Sequence, residues 1–342
     1  AFAEDKIVAF YRPEKGHNFM FVTWGGFTGV VSGMNDKGLT VTINAAKTSV
    51  PTAAATPVSL VAREILQYAK NISEAWAIAK KREMFVSESF LIGSAEDNKA
   101  VLIEKTPEGM DMYSSGQNFI TCTNHFQGDS LGGLASNKLQ IKESASEYRY
   151  ERLRELLQEN GPNTVEKTVK ILRDRGGLHN ANIGMGNEKA INQLIAHHSI
   201  VFEPKKKMVW VSTAPWQLGQ FVAYDLNKIF SMHGLTSDHE IYDSALNIPA
   251  DSFLLSKEYI AFNTYRKLRD RIKEGDTVDI DALIASNPEY YHTYVLAGDY
   301  EFKRKAYALA KKYYETGLTK VIATKGEEDH IRKQLQLCNE QL

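Results

Sequence analysis

The order of apolar and polar residues divides the chain into runs of strands and runs of helices. Ile7–Tyr11 and the β-rich stretch 18–24 read as strands, and Gly25-Gly26 breaks the second of them. Phe27–Ser32 reads as a further short strand, followed by a turn at Asn35-Asp36-Lys37-Gly38. Leu39–Asn44 then alternates apolar and polar positions with period two. Four closely spaced strands joined by tight turns predict an antiparallel meander. Helical spacing follows: Val58, Val61, Ile65 and Leu66 share one face of Val58–Tyr68, and Ser73 is a suitable N-cap for Glu74–Lys81. Strand patterns return at Ser89–Gly93, Ala100–Lys105, Met110–Ser114 and Asn118–Thr123. Ser144–Glu159 predicts a helix whose apolar stripe is Tyr148, Leu153, Leu156 and Leu157, and another helix runs from Asn163-Thr164 to Arg173. Ile195–Phe202 and Met208–Thr213 read as a hairpin across Glu203-Pro204-Lys205-Lys206.

Runs of like elements, rather than strand–helix alternation, predict α+β layers and not a doubly wound parallel sheet. The character changes after Tyr224. Residues 225–252 are loop-like, whereas 255–342 are almost wholly helical, charged and rich in tyrosine. A helix starts at Glu289 after Asn287-Pro288 and is expected to break at Ala297–Tyr300; Phe302–Gly317 and Glu327–Leu337 follow. This stretch weakly resembles one tetratricopeptide unit, although such repeats stack in about three copies. The expected organisation is a layered core over 1–250 and a helical extension over 251–342.

Composition narrows the class. With 342 residues, 43% of them hydrophobic, the chain can bury a large core. Lys+Arg (41) and Asp+Glu (42) nearly cancel, which removes any global electrostatic case for nucleic acid or an anionic membrane. Two cysteines, Cys122 and Cys338, make no disulfide framework. No apolar run approaches the roughly 18 residues of a membrane span. Glu4, Asp5 and Lys6 interrupt any signal-peptide pattern. The opening Ala-Phe-Ala-Glu-Asp has no initiator Met, so the chain reads as a processed product or a piece cut from something longer.

Motif-based chemistry is absent: no Gly-x-Ser-x-Gly elbow, P-loop, dinucleotide fingerprint or His-Glu-x-x-His. The nine histidines lack ligand spacing, and neither a metal nor a cofactor is expected. Cys122 with His125 invites a thiol-protease reading, but a small apolar side chain buried in a strand explains Cys122 better. Asn44 and Asn124 each end a predicted strand. A strand-end amide can donate into a cleft without titrating, which suits a developing oxyanion; a turn-forming asparagine is the alternative.

Phe10-Tyr11-Arg12-Pro13, Thr23-Trp24-Gly25-Gly26-Phe27-Thr28-Gly29, Gly33-Met34-Asn35-Asp36-Lys37-Gly38-Leu39 and Ile43-Asn44, followed by Thr121-Cys122-Thr123-Asn124-His125-Phe126, resemble the acyl-CoA:6-aminopenicillanate acyltransferase family. That family is similar in turn to choloylglycine (bile salt) hydrolases and penicillin V acylases. The likeness covers about residues 5–222. It implies a four-layer αββα sandwich of the N-terminal-nucleophile (Ntn) type and a cysteine, exposed by autoproteolysis, whose α-amine is the base. It further implies that this cysteine, and the Arg and Asp after it, lie upstream of Ala1, which has no nucleophilic side chain. Asn44 and Asn124 match the family's oxyanion and site-holding asparagines. Where the family has a later arginine, Asn187 stands near that position, and Arg173 or Arg175 could supply the charge instead. Trp24, Phe27, His125 and Phe126 flank the signatures as a candidate acyl pocket, or equally as core.

The function these features imply is hydrolysis of, or acyl transfer from, an N-acylated small molecule. The expected partners are that substrate and the N-terminal fragment of the protein's own precursor, with no nucleic acid and no membrane span; an oligomer is left open. The resemblance favours a periplasmic or secreted location. Two rivals are a phospholipase-B-like lipid ester hydrolase and a non-catalytic binding module that uses the tyrosines of the helical tail.

Overall fold

In the computed structural model, which describes residues 5–47, 54–159, 161–233 and 240–342, seven strands form one antiparallel sheet in chain order. They are Lys6–Tyr11 (β1), Phe19–Trp24 (β2), Ser32–Asn35 (β3), Leu39–Ala45 (β4), Glu88–Ser94 (β5), Lys99–Lys105 (β6) and Met110–Tyr113 (β7). The expectation about Ala1 concerns a residue outside those described. Two strand assignments change. Phe27–Ser32 is not a strand; β3 starts only at Ser32 and runs on into Asn35, the first residue of the expected turn, because Gly33 and Met34 pair with both Phe21-Met20 and Val41-Thr40. Asn35 makes so short a strand workable. Its Oδ1 accepts from the amides of Lys37 and Leu39, both at 3.0 Å, which closes the turn, and its Nδ2 donates to Leu66 O (2.9 Å) and Ala69 O (2.7 Å). Asn118–Thr123 also forms no strand and instead crosses over the sheet.

Helices Val58–Tyr68 (α1) and Ile72–Lys81 (α2) lie between β4 and β5 in sequence and cover one face of the sheet. Val61, Ile65, Leu66, Ala75 and Ala79 pack there with Phe19, Phe21, Val41, Phe90, Ile92 and Ile103. Each large side chain buried in this layer contributes about 1.5–3 kcal/mol. The cap of α2 is Asn71 rather than Ser73: its side chain accepts from Glu74 N at 3.0 Å.

The opposite face packs on a second antiparallel sheet, Ile200–Glu203 (β8), Met208–Ser212 (β9) and Phe221–Asp225 (β10), in the order β10-β9-β8. Alternation along β9 sends Val209 and Val211 toward Met20, Val22 and Met34. Leu226 and Ile229 of a short helix, Leu226–Ser231 (α6), join that layer, and Arg12 Nη2 ties the helix down through the carbonyls of Ile229 and Met232. On the outer side of β9, Trp210 Nε1 donates to Leu246 O at 2.9 Å. Residues 163–166, at the start of Val165–Leu172 (α5), and 245–249 cover that side. The layers are therefore helix, sheet, sheet and a thinner outer cover.

The chain divides into two compact units, one of residues 1–141, 157–170 and 196–249, the other of 142–156, 171–195 and 250–342. The second unit holds Lys257–Glu274 (α7), Ile280–Ser286 (α8), Tyr291–Lys303 (α9), Tyr307–Leu318 (α10) and Lys325–Gln341 (α11), packed around Tyr291, Val295, Ala310, Tyr314, Ile331 and Cys338. The break expected at Ala297–Tyr300 is absent, and α9 runs through it. Gly298 is there for contact: a Cβ would lie 2.5 Å from the Tyr314 ring. In Ser146–Glu159 (α4) the stripe is also different, since Arg152 and Leu156 are buried while Tyr148, Leu153 and Leu157 are only partly so. Among the described residues no helix is long and apolar enough to cross a membrane.

Candidate active site

The residues read as chemical from sequence divide between two places. One is the end of the large sheet where β4 finishes. Cross-strand register aligns Asn44 with Ser89, Ser89 with Glu104, and Glu104 with Asp111, so four polar side chains form a row across β4–β7. By alternation the row shares the face of Thr40 and Met34, the one turned toward the small sheet. Trp24 closes β2 and by alternation lies on the face of Met20 and Val22, the one turned toward the small sheet.

Residues 121–130 roof this row, and the contacts are specific. The Cys122 thiol donates to Thr123 O at 3.6 Å, beside the Asn44 side chain. Asn124 Nδ2 donates to Ala45 O at 2.9 Å. Glu104, fully buried, accepts from Gln127 N (2.7 Å) and Gly128 N (2.9 Å), and Asp111 accepts from Ser130 N at 2.7 Å. Gly128 is required, because a Cβ there would meet the Asp111 carboxylate at 2.5 Å. Asn124 is thereby brought to the end of β4, where Asn44 stands.

Electrostatics separate the titratable groups. Burial pushes the Cys122 thiol up to about 12, opposed by the neighbouring Asn44 amide, and the carboxylates of Glu104 and Glu88 push the same way as burial. A thiol held neutral is a poor nucleophile. Burial also pushes Glu104 up to about 7, opposed by its two backbone donors, and Glu88 up to about 7. Glu88 Oε2 and Gln127 Oε1 are buried without a hydrogen-bond partner among the described residues.

At the same end the two sheets are linked by polar contacts. His198 Nε2 lies 2.8 Å from Ser32 Oγ, and Lys6 Nζ donates to Ser212 O at 2.9 Å. Burial lowers His198 to about 4, with Lys6 and His197 adding to the effect, so its ring is neutral at physiological pH. Ser32 is only 3% exposed, which makes the pair a strut between sheets rather than a nucleophile with its base.

The remaining sequence candidates fall out as follows. Phe126 is a core residue: Asn137, on the helix Ala135–Glu143 (α3), clamps its backbone on both sides, Oδ1 accepting from Phe126 N and Nδ2 donating to Phe126 O. His125 is buried with Nδ1 3.2 Å from Thr123 Oγ1. Trp24 and Phe27 stack with centroids 4.3 Å apart, half-buried, and so keep a surface for a ligand. Asn187 belongs to the second unit and is fully committed there, donating to Ile183 O (3.0 Å) and Val321 O (2.8 Å) and accepting from Lys189 N (3.0 Å). Arg175 is engaged in the same unit, 3.3 Å from Asp251 and over the Phe253 ring at 3.6 Å. Sequence reasoning missed Glu88, Glu104 and Gln127. The available signal was an acid closing the apolar run Val101-Leu102-Ile103.

Residues 3–215 match the family described as acyl-coenzyme A:6-aminopenicillanic acid acyl-transferase. No curated protein matches the chain significantly. Among solved structures, the chain is similar to a Caenorhabditis elegans ortholog of N-acylethanolamine-hydrolyzing acid amidase, at 18% identity over 50% of this chain and 74% of that one, with TM-score 0.37. It is similar to a variant of conjugated bile acid hydrolase from Clostridium perfringens at 13% identity over 66% and 85%, with TM-score 0.43. It is similar also to penicillin V acylase from Agrobacterium tumefaciens at 12% identity over 62% and 70%, with TM-score 0.40. These are distant likenesses; the family match is what assigns the chain.

Proposed function

The chain belongs to the acyl-coenzyme A:6-aminopenicillanic acid acyl-transferase family, and from that membership we propose that it cleaves the C–N bond of an N-acylated small molecule through an acyl-enzyme. In general terms it is an Ntn-type amide hydrolase or acyltransferase. The finer reading rests on one observation: Asn44 and Asn124, from segments far apart in sequence, meet at the end of β4, where Asn124 Nδ2 is 2.9 Å from Ala45 O.

In this reading the nucleophile is a cysteine N-terminal to Ala1. Cys122, its thiol held neutral by burial, is unsuited to the role. The cysteine's α-amine takes the thiol proton, and the thiolate attacks the amide carbonyl carbon. Collapse of the tetrahedral oxyanion breaks the C–N bond, and the amine leaves with that proton. Water or a second amine then attacks the thioester, which releases the acyl group and regenerates the thiol. Asn44 and Asn124 are the oxyanion donors this reading assigns, because fixed amide dipoles stabilise charge as it develops without themselves titrating. The Trp24–Phe27 stack is its wall for an apolar acyl group, and a periplasmic or secreted location is the compartment it favours.

The test is intact-mass spectrometry of the protein, including the residues N-terminal to Ala1, after mixing with N-acyl amides of graded chain length and with phospholipid esters. The expected result is an acyl adduct on an N-terminal cysteine formed from the amides. An adduct formed only from the phospholipids would move the reading to lipid ester hydrolysis, and no adduct from either would end it. Of the tyrosines on which the rival binding module rests, Tyr291, Tyr294 and Tyr314 are buried in the helical unit, whereas Tyr290, Tyr300, Tyr307 and Tyr313 are partly exposed.

A further inference from the structure

The far end of the large sheet carries a cavity that the reading above does not use. Five register positions separate Asn44↔Ser89 from Leu39↔Ser94, a distance of about 17 Å at the rise of a strand. At the Ser94 end a cleft of about 520 Å³ opens, within the range of small-molecule sites. Three segments wall it: the β5–β6 turn, the stretch from Ser114 to Ile120 beyond β7, and the β8–β9 turn.

Its chemistry is divided. Ala100, Phe119, Ile120 and Pro204 supply apolar surface. Lys99 and Lys205 stand at the rim, exposed, and the side chain of neither makes a hydrogen bond or ion pair among the described residues. The acid of the wall, Glu203, is already paired with Lys206 at 2.8 Å. The uncommitted charge of the cleft is therefore positive. The side-chain amides of Asn98, Gln117 and Asn118 also line the cleft with no partner among the described residues, so they remain available as donors.

The walls are held in place without a ligand. Ala95 N donates to Gly38 O at 3.1 Å, and Ser94 Oγ accepts from Asp97 N at 3.1 Å. The Ser115 hydroxyl donates to Phe119 O, which fixes the third wall. Gly38, at φ +74°, lets the β3–β4 turn approach the β8–β9 turn: a Cβ would lie 2.5 Å from Pro204 O. A preformed site loses less affinity to ordering on binding.

We propose that this cleft is a second ligand site, selective for a small anionic amphiphile with one carboxylate or sulfonate on a compact apolar body. The apolar body lies on Phe119, Ile120 and Pro204. The anionic head lies between Lys99 and Lys205, each of which contributes a point charge rather than a fixed geometry. The site does not depend on the identity of the nucleophile or of the acyl substrate.

The probes are 8-anilinonaphthalene-1-sulfonate and its neutral analogue N-phenyl-1-naphthylamine, titrated by fluorescence into the whole protein and into a Lys99→Glu/Lys205→Glu double variant. Both lysines are exposed, so the variant is expected to keep the wild-type melting temperature. The anionic probe should bind the wild type and shift the backbone amide resonances of residues 93–100, 114–120 and 203–205, but not those of 44, 122 or 124. The double variant should bind it at least tenfold more weakly while holding the neutral probe within twofold. Absence of binding, shifts elsewhere, unchanged affinity in the variant, or an equal loss of the neutral probe would each overturn the proposal.

Discussion

Two regions of the molecule bury polar groups, and they do so in opposite ways. In the helical unit Arg152, 2% exposed, is saturated. It donates to both Asp174 oxygens, to Glu155 and to Asn180, all at 2.9 Å. Hydrogen bonding to Asp174 holds its guanidinium charged. Asn187 is saturated in the same manner. At the end of β4–β7 the balance is incomplete. Glu104 has two donors, yet Glu88 Oε2 and Gln127 Oε1 have no partner among the described residues, and burial pushes both carboxyls toward neutrality. A saturated buried charge pins a loop and leaves no capacity for a ligand. An unsaturated cluster retains unused hydrogen-bonding capacity, which native proteins seldom keep without a use. Two amides singled out in the sequence, Asn124 and Asn187, lie one in each of these regions.

The comparison can be broken first at Arg152. Arg152→Met strands two partly buried carboxylates and should cost about 3–5 kcal/mol in urea unfolding. A loss below about 1 kcal/mol would show that the network is ornamental. Glu88 offers a smaller and signed effect. Its folded value of about 7 lies above its ordinary 4.5, so between those values the folded state holds the proton that the unfolded chain has released. Stability should be fully present below about pH 4.5, fall as pH rises to about 7, and level off beyond. Glu88→Gln should make that fall shallower when unfolding is compared at pH 5 and pH 8; an identical slope would contradict the assignment. Cys122→Ser should change least, by less than about 1 kcal/mol and with near-normal turnover, because the thiol it replaces is neutral. Loss of the acyl adduct in that variant would return Cys122 to catalysis.

Much of this architecture was legible in the sequence where periodicity and local chemistry agree. Val58–Tyr68 carries its apolar face at helical spacing, and Leu39–Asn44 alternates strictly; both elements form as read. Misreadings arose where tertiary contact outweighs local preference. Gly298 looks like a helix breaker but is the position at which Tyr314 crosses α9. Asn118–Thr123 has strand composition, yet the roof it leads into is held by Glu104 and Asp111 through backbone amides, which no local pattern encodes. In the candidate site, Asn44 and Asn124 were visible as strand-end amides and through the family resemblance. The row Asn44–Ser89–Glu104–Asp111 was not, because it exists only through register across four strands.

The most direct measurement is a paired one: kcat on an N-acyl amide together with melting temperature, for Asn124→Ala and Asn187→Ala in the complete enzyme. The account predicts that Asn124→Ala lowers kcat by roughly 100- to 1,000-fold with little change in melting. It predicts that Asn187→Ala destabilises by about 1–3 kcal/mol, leaving three backbone groups unpartnered, while kcat of the folded fraction stays near wild type. Unchanged kcat in Asn124→Ala, or a catalytic loss at Asn187 without loss of stability, would contradict it.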